Sequence, residues 1–175
     1  MPEKNWFPVL DLYRLLVLTQ SIAVQQVKSN SAILDKIVHW SATFSQLSMP
    51  TQLMSLRVFC NLFHSGGVDK ANDQGCIYIL QNEERYALIV DMISKSLSSQ
   101  VEGIRLTAAA LACNLALYVP RNGSDQEVQM VSSMLEYLQT EEKDDVIQRM
   151  LLAIYRIAQG NAAVLEVAKA LEPNF

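Results

Sequence analysis

Charge is scarce in this sequence. Only 18% of its 175 residues are Asp, Glu, Lys or Arg, against roughly 25% in an average soluble chain. The basic residues are outnumbered, 14 to 18, for a net charge of −4. A chain with that balance lacks the cationic surface that phosphate neutralisation requires, which excludes nucleic acid as the expected partner. Cysteine is also short. Cys60, Cys76 and Cys113 are odd in number and match neither a zinc spacing nor a disulfide framework, as expected of reduced thiols in the cytosol or nucleus. No run approaches the ~20 apolar residues that span a bilayer. The opening residues, with Glu3 and Asn5 and no long apolar stretch, do not read as a signal peptide. Motifs of nucleophile elbow, P-loop and dinucleotide type are absent, so no cofactor, metal or small-molecule substrate is expected.

Half of the residues are hydrophobic, and they recur at the helical period. Leu12, Leu15, Leu16 and Val17 mark a first helix from about Phe7 to a break near Ser21. Ile22–Lys28 is a short second helix, and Ile33, Ile37, Trp40 and Phe44 mark one over Ala32–Phe44. Pro50 suits the first turn of the next, where its missing N–H costs nothing. That helix runs through Leu53, Leu56, Phe59, Cys60 and Phe63 to Gly66-Gly67, and Asn72–Gly75 reads as a turn. Helices are expected over Glu83–Leu97, Val101–Tyr118, Asp125 to about Gln139, Asp144–Ala158 and Ala162–Leu171. Ser124 with Glu127 forms a capping box before the third of these. Seven methionines scattered along the chain read as gap-fillers. Nothing alternates at period two long enough to need a sheet, so the class is all-α.

A longer period lies above the helices. Pro8–Leu15 lines up with Pro50–Val58, and Phe59-Cys60-Asn61-Leu62 resembles Ala112-Cys113-Asn114-Leu115 and, less closely, Ile154-Tyr155-Arg156-Ile157. Intervals of 42 to 53 residues are those of armadillo or HEAT repeats, in which one helix pair cannot bury its face alone and stacking completes the core. With Asn61, Asn114 and Arg156 equivalent, the residues four and seven earlier share their face. The stripe then holds Arg57, Asn61, Thr107, Asn114, Arg149 and Arg156, and Arg14 is the equivalent of Arg57 one repeat earlier. No carboxylate interrupts it. Arginine forks pair with carboxylates bidentately, and an asparagine amide both donates to and accepts from a peptide backbone. The stripe therefore suits an extended acidic peptide on a concave face.

Other readings stand beside that one. The arginines also fit as solvated ends of core helices or as partners of Asp11, Asp144 and Asp145, and the asparagines as cap contacts. Cys60 and His64 lie four apart on one helix, the spacing of a thiol–imidazole pair, but Cys60 sits between Phe59 and Leu62 as a buried hydrophobe would. Asp144-Asp145 reads as first-turn acid favoured by the helix dipole. The expectation is a binding protein and not an enzyme.

Phe7-Pro8-Val9-Leu10-Asp11-Leu12-Tyr13-Arg14-Leu15 resembles the F-P-x-L-D-x-x-R-L signature of the PUL domain, which closes the phospholipase-A-two-activating protein and its fungal ubiquitin-homeostasis relatives. Gln52–Asn61, with its L-R-x-F-C-N segment, Ala108–Ala116, and Arg149–Ala153 with Asn161–Leu171 are similar to the family in the same order. The resemblance implies one armadillo-like domain over 1–175, short of the N-terminal helices of the full module. It implies a module that docks the acidic C-terminal tail of the valosin-containing AAA ATPase in a basic groove, in ubiquitin-dependent turnover and proteasomal degradation. Arg14 and Arg149 match family arginines, Arg57, Asn61 and Asn114 follow from the matching segments, and Arg156 has no family counterpart. The alternative is a structural repeat domain that packs on neighbouring domains or on itself.

Overall fold

The computed structural model describes residues 6–29, 32–64, 73–118, 124–159 and 161–171. These are all-α, with no strand among them, in a helical-repeat architecture of the armadillo type. They fall into two compact units, 1–92 and 93–175.

In the first unit lie α1 (Trp6–Leu16), α2 (Gln20–Lys28), α3 (Ala32–His39), a 3-10 segment (Trp40–Gln46), α4 (Met49–His64) and α5 (Gln74–Leu80), with the start of α6 (Glu83–Leu97). Leu10 and Tyr13 of α1, with Val17 just past its end, are buried at i, i+3 and i+7, and α1 packs on α4, where Leu56, Phe59 and Leu62 are buried. The ring of Phe59 stacks on Tyr78 at 6.4 Å, and Trp40 meets Trp6 edge-on at 5.4 Å. A polar tie joins α3, α5 and α6. Tyr78 Oη donates to Asp35 Oδ1 at 2.8 Å, and Arg85 Nη2 reaches the same oxygen at 3.1 Å while Nη1 donates to the Tyr78 carbonyl. Burial and the Asp35 carboxylate push the Tyr78 phenol up.

Three expectations are corrected here. The first helix ends at Leu16, not near Ser21, and the third gives way to 3-10 geometry after His39, with a kink at Thr43. Thr43 leaves the helical region at φ −113° and ψ 16°, a β-branched residue whose stiff side chain crowds the preceding helical turn. Gly75 is not in a turn but inside α5, which Asp73 caps by accepting the Cys76 N–H at 2.9 Å. The Gly66-Gly67 stop and the side chain of His64 lie outside the described residues.

The second unit holds the end of α6 with α7 (Glu102–Leu115), α8 (Asp125–Leu138), α9 (Asp144–Ala158) and α10 (Ala162–Ala170). Val146, Met150, Ala153 and Ile157 bury one side of α9, at i, i+4, i+7 and i+11. The helix packs on α7, where Ala108, Ala109, Leu111 and Ala112 are buried and the alanines leave room for close approach. Met130, Met134 and Met150 are wholly buried, as gap-filling methionines should be. Ser124 accepts the Glu127 N–H as the capping box requires, and the buried Glu127 carboxylate also takes Asn161 Nδ2 at 2.6 Å. Arg105 of α7 clasps Glu141, Nε to Oε2 at 2.5 Å and Nη2 to Oε1 at 3.1 Å, at the turn that launches α9.

Candidate functional site

Arg14 and the six stripe residues divide three and four between the units. In the first, Arg14 lies in the last turn of α1 and Arg57 and Asn61 on α4. Arg14 is occupied: its Nε and Nη2 both reach Asp11 Oδ1, at 2.8 and 2.7 Å. The pairing expected as an alternative for the arginines therefore holds at this position. Asn61 Nδ2 donates to the Arg14 carbonyl at 2.6 Å. Arg57, one turn before Asn61, is exposed and makes no hydrogen bond or ion pair among the described residues.

In the second unit Asn114 lies on α7 and Arg149 and Arg156 on α9, and those two helices pack together. Arg156 Nη1 donates to the Cys113 carbonyl at 3.2 Å, and the Cys113 thiol donates to the Arg149 carbonyl at 2.9 Å. Burial pushes the Cys113 thiol up, while the Arg156 and Arg149 guanidiniums draw it part of the way back. The Arg149 side chain is exposed and unpartnered among the described residues, and it forms no ion pair with Asp145 one turn earlier. The Asn114 amide is half-buried and likewise unpartnered there. Thr107 turns its hydroxyl back to the Gly103 carbonyl at 2.7 Å.

The described arginines differ in what they bond. Arg14, Arg85 and Arg105 are paired with Asp11, Asp35 and Glu141, and Arg156 is bonded to a carbonyl. Only Arg57 and Arg149 have no acceptor within the described chain. Periodicity placed both on the stripe but gave no sign that Arg14 differs from them. The signal was local: Asp11 stands three residues before Arg14, within reach on a helix. The sequence put Leu152 on the stripe face without marking it as a site residue and missed Leu151 and Tyr155. All three are large apolar residues left exposed on α9 beside the arginines, Tyr155 by 62%.

The profile of the PUL domain matches residues 1–172. The chain belongs to the PUL domain family. All four segments that carry the resemblance lie inside that match, so Arg14, Arg57, Asn61, Asn114 and Arg149 occupy PUL domain positions. The phospholipase A-2-activating protein of Xenopus laevis is 24% identical over 179 residues, which cover 97% of this PUL domain and 20% of the relative. The chain thus spans about a fifth of that relative's length. No solved structure matches it. Membership supports a protein-interaction domain in ubiquitin-related processes.

Proposed function

We propose that this PUL domain is an adaptor module that docks the acidic C-terminal tail of the valosin-containing AAA ATPase, in the cytosol or nucleus, during ubiquitin-dependent protein turnover. The observation that carries the reading is the contrast between the bonded arginines and Arg57 and Arg149. A guanidinium held for internal structure has an internal acceptor, and Arg57 and Arg149 have none among the described residues. Each offers a planar, hydrated fork ready for a carboxylate. Asn114, with its amide free to donate and accept, suits the backbone of an extended peptide beside Arg149.

The test is a fluorescence-anisotropy titration with a labelled peptide of the ATPase tail. Wild type should bind at micromolar concentration and lose affinity as salt rises, because exposed ion pairs are screened within about 10 Å at 0.1 M ionic strength. Arg149→Glu should abolish binding and leave helicity and melting temperature unchanged. Binding by Arg149→Glu equal to wild type sinks the proposal.

A second reading rests on a different surface. Leu12, Leu15 and Leu16 on the outer side of α1 are exposed, Leu12 by 60%, and Phe7 and Leu18 extend the patch. An apolar strip of this kind marks a protein contact more often than bare solvent. It suits a structural domain that packs on a neighbour or on a second copy.

A further inference from the structure

The last turns of α1 and α7, about a hundred residues apart, share one hydrogen-bond pattern. In α1 the Val17 amide bonds the Tyr13 carbonyl four residues back, but Leu18 and Thr19 turn to Leu15 and Leu16, three back. In α7 Ala116 bonds Ala112, and Leu117 and Tyr118 turn to Asn114 and Leu115. Tightening from four-residue to three-residue spacing skips one carbonyl each time. The skipped groups are those of Arg14 and Cys113.

A skipped carbonyl at a helix–helix contact needs another donor. Both find it on the neighbouring helix. Asn61 Nδ2 reaches from α4 to Arg14 O, and Arg156 Nη1 reaches from α9 to Cys113 O. Asn61 and Arg156 share one register position of the sequence repeat with Asn114, whose amide has no partner among the described residues. Of the two that reach a carbonyl, one is neutral and short and the other charged and long, so what they have in common is an N–H donor and not a charge.

We infer that Asn61 and Arg156 are positioning residues. Each caps the last turn of the helix packed beside its own, and so fixes how that helix pair presents Arg57 or Arg149. They are not contacts for the acidic partner. The binding half of this assignment rests on the docking reading; the capping half stands without it.

The test uses the full chain with Arg156→Met and Asn61→Leu, which delete the donors, and Arg156→Lys, which keeps one. Amide hydrogen exchange should speed up about fivefold or more at Leu117 and Tyr118 in Arg156→Met. Asn61→Leu should do the same at Leu18 and Thr19, each variant sparing the other turn, and Arg156→Lys should resemble wild type. Tail-peptide affinity should drop several-fold in both donor-less variants while keeping the wild-type steepness against salt, which Arg149→Met should flatten. Unchanged exchange in Arg156→Met overturns the assignment, and so does a salt dependence flattened as in Arg149→Met. A donor-less variant that fails to fold overturns it too, in favour of a global role. If wild type ignores the peptide the docking reading falls, and exchange alone decides the caps.

Discussion

Arg105 and Glu141 show how a residue's surroundings set its task. The Glu141 side chain is 5% exposed and is gripped by both arms of the Arg105 fork, with the Glu142 and Lys143 amides on the same carboxylate. Arg105 holds the Glu141 carboxyl below the usual carboxylate range, against the opposing effect of burial. A lowered folded-state value means that the contribution to stability is complete above the ordinary glutamate pKa. It is lost as pH falls through the depressed value. Glu141→Gln should therefore cost about 2 kcal/mol near pH 7 and flatten the acid limb of stability against pH, which urea melts from pH 7 to 2 measure. An unchanged acid limb would mean that the clasp adds nothing. Neither residue was singled out by the sequence, because they stand 36 residues apart with no pattern that joins them.

At the scale of the element, α5 is the instructive case. Gln74–Leu80 is too short for its periodicity to register, and Gly75 beside Asn72 and Asp73 imitates a turn. What makes it helical is the Asp73 cap together with burial of Tyr78 and Ile79. Gly75 is needed for space: a Cβ there would lie 2.8 Å from the Phe63 ring. Alanine would gain about 1 kcal/mol in helix propensity, but displacing a packed ring costs roughly 1–3 kcal/mol. Gly75→Ala should lower thermal stability by about 1 kcal/mol, and a melting temperature that rises would show that Phe63 yields freely. The longer helices were legible. Asp144–Ala158 came out with the bounds expected, because four buried positions and a Gly160-Asn161 stop agree.

For the whole molecule, the docking and structural readings differ in mass. Under the docking reading the apolar strip of α1 is a bystander, and static light scattering should return 19.6 kDa from micromolar to high micromolar concentration. A mass that climbs with concentration, and returns to that of one chain in Leu12→Ser with Leu15→Ser, would favour self-association instead. Net charge works against an acidic partner at long range, so any attraction must come from arginines close to it.

Helix class and the longer helices are local properties, and hydrophobic spacing over a dozen residues carried them. Membership of the PUL domain family was equally readable, since separated segments kept their order. Which stripe residues are free was not. Arg14, Asn61 and Arg156 share residue type and register with those that are unpartnered, yet each is engaged. Two of the acceptors, Arg14 O and Cys113 O, lie 47 and 43 residues from their donors. A side chain's chemistry is set by its own atoms, but its availability depends on who reaches it first, and packing alone settles that.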